Sequence, residues 1–132
     1  MEKILIDKKV AVLIYRNNDW TEGLNFITTP ETNIQVGSWW YPKGKVLDKH
    51  YHNESPRTAN KTQEMVYVKK GKMRVLIYDS ENSFSGDFIL NEGDLAVMLD
   101  GGHGYEILEN DTQIIESKNG PFLGVENDKT RF

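Results

Sequence analysis

No cysteine occurs anywhere in the 132 residues, which excludes disulfide frameworks, thiolate zinc sites and cysteine nucleophiles together. Any metal would have to be held by nitrogen and oxygen donors. Long apolar runs are also missing. Ile4 to Ile6 and Val10 to Tyr15 are too short for a secretion signal or a membrane span. With no thiols and no such segment, the expected location is the cytoplasm, with no membrane partner. Positive charge is in deficit as well. Sixteen Lys and Arg face twenty Asp and Glu, for a net charge of −4, so no broad positive field favours a nucleic-acid backbone.

What is present is an ordinary globular composition, 38% hydrophobic and 11% aromatic with 11 glycines. The length fits one domain spanning residues 1–132. No window sustains helical spacing of apolar residues. Short β-branched and aromatic runs instead recur between turn formers, the pattern of an all-β sandwich or barrel. The expected strands are Val10 to Arg16, Ile34 to Tyr41, Lys45 to His52, Gln63 to Lys69, Lys72 to Tyr78, Asp87 to Leu90, Leu95 to Leu99, Tyr105 to Leu108 and Thr112 to Ser117. Turn formers separate them, including a hairpin turn expected at Lys70-Gly71 and the glycine-rich stretch Gly101 to Gly104. Residues 53 to 62 and the tail 118–132 read as irregular.

All three histidines fall in suggestive places. His50 and His52 flank one residue on an expected strand, so their side chains would share a face about 7 Å apart along the chain. Two imidazoles so placed can converge on one ion at about 2.0–2.1 Å. Glu64 opens the expected next strand, and His103 lies in the glycine-rich turn.

Gly44, five residues, His50-Tyr51-His52, then Glu64, six residues and Gly71 resembles the first motif of the cupins. Eleven residues separate His52 from Glu64, where that family usually has three or four, so an insertion at a barrel mouth is expected. Gly93 with Leu99, Asp100, Gly101 and His103 resembles the second motif in part. Leu99 replaces its proline, and the histidine comes one residue early. The resemblance covers about Gly44 to Leu108. It implies a double-stranded β-helix, or jelly-roll barrel, with a core over about 34–117 and a divalent metal ion (Mn, Fe, Ni or Zn) on His50, His52, Glu64 and His103. The strings at 101–109 and 119–132 resemble small cupins associated with bacterial surface-polysaccharide biosynthesis.

From this follows an expected function: a sugar or nucleotide-sugar isomerase or epimerase working beside a keto group. A metal would act there as Lewis acid, or His50 and His52 as an acid–base pair, since imidazole titrates near neutral pH. Tyr105 is a further candidate for proton transfer, while Tyr51, Asp100 and Glu106 flank the site. Arg57 and Lys61 could meet the phosphates of a nucleotide sugar. Two alternatives stand beside it: an iron(II) dioxygenase, which two histidines and a carboxylate can support, and a non-catalytic ligand-binding or sensor module. The consecutive Trp39, Trp40 and Tyr41 exceed what one inward strand face absorbs, and a homodimer is expected.

Overall fold

The computed structural model describes residues 1–132. Ten strands form: β1 (Glu2–Ile6), β2 (Lys9–Tyr15), β3 (Gly23–Phe26), β4 (Gly37–Trp40), β5 (Glu64–Lys70), β6 (Lys72–Tyr78), β7 (Phe84–Asn91), β8 (Leu95–Met98), β9 (Gly102–Ile107) and β10 (Gln113–Lys118), followed by one helical turn, α1 (Val125–Asp128). They make a five-stranded sheet in the order β1-β2-β8-β5-β10, a three-stranded sheet in the order β7-β6-β9 and a two-stranded ribbon of β3 and β4, with every pairing antiparallel. The all-β expectation is met. None of the sheets closes into a barrel; the two larger ones face each other across a shared core.

Strict alternation explains why the larger sheets face each other. Along β6, Met73, Val75 and Ile77 are buried while Lys72, Arg74, Leu76 and Tyr78 are half-buried. Along β5, Val66 and Val68 point the same way as Glu64. These residues meet Val12, Ile14, Leu90, Ala96 and Met98 in one cluster between the sheets. Fully burying each Val, Ile or Met there contributes about 1.5–3 kcal/mol. The opposite face of the five-stranded sheet is covered too. Leu13, Tyr15 and Val97 pack under Ile27, Ile34 and Val36 from the connection between β3 and β4. A hydroxyl pair, Tyr15 to Ser38 at 3.0 Å, ties the ribbon to β2.

Four expectations are corrected. Lys45 to His52 is not a strand: residues 45–52 form no regular secondary structure and are exposed. Neither of their alternating faces is apolar, since Val46 is followed by Asp48, His50 and His52, and Leu47 by Lys49 and Tyr51, so pairing would bury little. Strand Ile34 to Tyr41 forms only in its second half, because Ile34 and Val36 serve as the lid of the second cluster. The N-terminal β1 and the short β3 were absent from the expected set. β1 pairs with β2 across Asp7-Lys8, both at positive φ (50° and 64°) with Ile6 opposite Lys9, a tight primed-type hairpin without the usual glycine.

The fourth correction concerns Gly71. The Lys70-Gly71 pair does not close a hairpin, since β5 and β6 lie in different sheets; Gly71 turns the chain from one sheet to the other. Its φ is +84°, and a Cβ there would stand 2.3 Å from Thr112 Oγ1 and 2.9 Å from Thr112 Cα. The Thr112 hydroxyl accepts from Lys72 N at 3.2 Å and donates to Glu109 O at 2.8 Å, so it has no slack to yield. Gly71→Ala is therefore expected to destabilise the protein by about 2–3 kcal/mol, combining left-handed strain with a backbone clash. Gly23→Ala, at φ +94° with nothing within 4 Å, should show only the smaller strain. Equal midpoints in chemical denaturation would refute the corner role.

Candidate active site

Glu64 is the one glutamate in the core, 4% exposed. Strand periodicity puts it there, because it shares the inward face with Val66 and Val68. In the register of the five-stranded sheet it stands between Met98 of β8 and Lys118 of β10. Across the gap, β9 presents His103 and Tyr105 on the face shared with Ile77 and Val75 of β6. His103 therefore sits on a strand rather than in a glycine turn, which corrects its expected setting and gives it a fixed direction.

Three groups converge on this carboxylate from two sheets. Tyr105 Oη donates to Glu64 Oε1 at 2.5 Å. His103 Nε2 lies 3.5 Å from the same oxygen, and Lys118 Nζ lies 3.2 Å from Oε2. Lys118 also reaches Glu116 at 3.0 Å. The rings of His103 and Tyr105 are 5.4 Å apart, as two positions on one strand face require.

The electrostatics follow from this geometry. Burial alone would push the Glu64 carboxyl up, but hydrogen bonding from His103 and Tyr105, the charge of His103 and the ammonium of Lys118 overcome it and hold the carboxyl at about 2. Burial and the Glu64 carboxylate drive the Tyr105 phenol well above its usual range, so Tyr105 is a neutral donor to Glu64 rather than a base. Burial lowers the Lys118 ammonium, yet its bonds to Glu116 and Glu64 win and raise it. Lys118 was not among the residues singled out from the sequence. Its signal is the inward row Ile114, Glu116, Lys118 of β10, charges pointing inward on an edge strand.

His103 also lines a cleft of about 500 Å³, within the range of small-molecule sites. Its walls include Lys61, Asp100 and Asn119. Lys61 pairs with Asp100 at 2.9 Å, and this bond from Lys61 holds the Asp100 carboxyl below its usual range against the opposing effect of burial. Gln63 secures the cleft's floor: its amide oxygen accepts from Asn33 N and Ile34 N at 2.7 and 3.2 Å, its amide nitrogen donates to Leu99 O at 3.2 Å, and its backbone N–H donates to Asn119 Oδ1 at 2.6 Å. Sequence reading passed over Gln63 because a buried amide has no pattern of its own.

The four expected metal ligands fall into two pairs. Glu64 and His103 are together. His50 and His52 lie in the exposed loop with their rings 5.3 Å apart, and His50 Nδ1 contacts Asp48 O at 2.9 Å. No three of the chain's histidines, aspartates and glutamates converge into a metal cage, and the Glu64 oxygens already face a phenol, an imidazole and an ammonium. As placed, these residues do not form the four-donor set. Arg57 remains in the exposed loop and lies outside the cleft lining. No helix is long and apolar enough to cross a membrane. Comparison with family models, with characterised proteins and with solved structures gives no match.

The depressed Glu64 carboxyl has a pH consequence. A carboxylate held at about 2 in the folded chain, against 4.5 when free, contributes stability that is complete above pH 4.5 and lost as pH falls toward 2. That contribution is about 3 kcal/mol. Glu64→Gln should therefore be less stable than wild type near neutrality, with the difference shrinking by about that amount on acidification. Parallel stability profiles for the two proteins across this window, measured by denaturant titration, would show that Glu64 is not held charged.

Proposed function

We propose that this chain is a carbohydrate-directed enzyme of the cupin type, an isomerase or epimerase acting beside a keto group of a sugar or nucleotide sugar, of the kind used in building polysaccharides. One observation carries the reading: the His103 ring lines the cleft with its Nε2 3.5 Å from a buried carboxylate that is held in its charged form near neutrality. A carboxylate behind an imidazole selects the tautomer with hydrogen on the facing nitrogen and steadies the imidazolium that forms when the other nitrogen takes a proton. His103 is thus the base. It removes the proton from the hydroxyl-bearing carbon next to the carbonyl, and the electron pair moves onto the carbonyl oxygen as an enediolate. Isomerisation follows when the neighbouring hydroxyl passes its proton to that oxygen and the histidinium protonates the former carbonyl carbon. Epimerisation follows when water protonates the original carbon from the opposite face and the histidinium proton neutralises the hydroxide left behind.

The other residues have supporting parts. Glu64 positions His103, and Tyr105 positions Glu64. Lys61 is the one lysine or arginine in the cleft lining, and its ammonium suits either the developing enolate oxygen or a phosphate of a nucleotide sugar.

The test is solvent exchange. With nucleotide-linked keto sugars in deuterated water, the wild-type protein should exchange the hydrogen beside the carbonyl, and His103→Ala should lose about a hundredfold or more of that rate. Binding without exchange would favour a sensor, and oxygen uptake on mixing would favour an iron(II) dioxygenase.

A second reading rests on the edge-to-face pair of His50 and His52. Closure of residues 45–52 toward Glu64 and His103 would assemble four donors for Mn, Fe, Ni or Zn, which when bound supplies a Lewis acid for the enolate oxygen. Elemental analysis separates the two. About one divalent ion per chain, lost in the His50→Ala/His52→Ala variant, establishes the metal form; exchange that survives chelation leaves the chemistry with His103.

A further inference from the structure

All three tryptophans of the chain gather at one place. Trp20, Trp39 and Trp40, with Asn17 and Asn18, line a shallow concavity of about 630 Å³. None of its lining residues belongs to the cleft at His103. The indoles are 39%, 58% and 54% exposed, a large uncovering for the residue type with the most apolar area to hide.

Local structure keeps them open. Trp39 and Trp40 are consecutive on β4, so Trp40 takes the face of Ser38 and Trp39 the face of Leu24, and the concavity lies at the end of the ribbon, where both line it. Opposite Trp40 in the register is Gly23, which has no side chain to cover the ring, and the space above it is empty to 4 Å. Trp20 is steadied from behind by Tyr15, whose ring meets it edge-on at 5.9 Å and 67°. Tyr15 is itself held by Ser38. The platform is therefore anchored to the core strand β2.

We propose that this concavity is a second, separate binding site for a neutral saccharide. An indole face accepts the C–H face of a pyranose ring, which is apolar, while amides at the rim exchange hydrogen bonds with equatorial hydroxyls. Asn17 and Asn18 supply such amides; only the backbone N–H of Asn17 is engaged within the chain, by Asp94 at 2.9 Å. No lining side chain carries charge, so a phosphorylated or acidic sugar finds no counter-ion. Five lining residues are few beside the roughly 20–30 per side of a stable protein interface. A second copy of the chain is the competing occupant, because Leu24 and Phe26 extend apolar exposure along the ribbon's outer face.

Since the tryptophans all lie here, intrinsic fluorescence reads this site and not the cleft at His103. Wild-type protein titrated with chitotriose, maltotriose and cellotriose should give a saturable emission change with at least one of them. By calorimetry, Trp39→Ala/Trp40→Ala should bind that sugar about tenfold more weakly or worse, while Trp39→Phe/Trp40→Phe retains part of the affinity. Asn18→Ala, which removes no apolar surface, should weaken binding with the fold unchanged by circular dichroism. No saturable change with any of the three sugars overturns the proposal. So does a wild-type dimer in sedimentation that becomes monomeric in the Trp39→Ala/Trp40→Ala variant without sugar binding in either. Solvent exchange at the keto-sugar cleft is independent of all these readouts.

Discussion

The five-stranded sheet must bury both of its faces at its centre, and most of the architecture follows from that. Successive residues of β2 and β8 alternate between two apolar clusters: Val12 and Ile14 against Leu13 and Tyr15, Ala96 and Met98 against Val97. Such strands need a cover on each side. The three-stranded sheet supplies one, delivered by the corner at Gly71. The connection from Ile27 to Val36 supplies the other. Beyond the last β2–β8 pair, Val12 with Met98, the Ala11 carbonyl accepts from Leu99 N and Asp100 N at 2.8 and 3.2 Å, which fixes the loop bearing Asp100 to the sheet's centre.

Where the two sheets end unequally, at β9 and β10, the core gives way to charge. A carboxylate so buried is tolerated only with partners on both oxygens. Tyr105 and His103 attend one oxygen and Lys118 the other. The same arrangement that makes Glu64 tolerable leaves His103 partly solvated at the cleft. A second buried carboxylate, Asp94, shows the contrast. It accepts from Arg16 at 3.0 Å, from Asn17 N at 2.9 Å and from Asn91 N at 3.0 Å, and with Arg16 also bonded to Ile89 O and Glu2 it is a strut between loops, with an arginine where Glu64 has a histidine.

Much of the strand pattern was legible because burial on alternate residues leaves a period of two. β2, β5, β6 and β8 lie within a residue or two of their expected bounds, since each alternates or is continuously apolar; β10, marked only by Ile114-Ile115 after a turn, lies equally close. The strand at Lys45 to His52 does not form, although Val46 and Tyr51 favour one, because a segment without an apolar face gives a sheet nothing to bury. β1 escaped notice because its turn, Asp7-Lys8, adopts left-handed geometry without glycine or asparagine.

By itself the sequence determined an all-β chain and picked out Glu64, His103 and Tyr105 as chemically interesting, because residue type and alternation are local properties. Only tertiary structure decided that β5 and β6 part at Gly71 into different sheets, that Lys118 joins Glu64 from β10, and that His50 and His52 stand apart from it in an exposed loop. Those outcomes depend on which faces meet across the core, and a contact between residues 64 and 118 leaves no trace in the spacing along either strand. The gathering of Trp20 with the distant pair Trp39 and Trp40 is of the same kind, brought about because Tyr15 of β2 and Ser38 of the ribbon are bonded to each other.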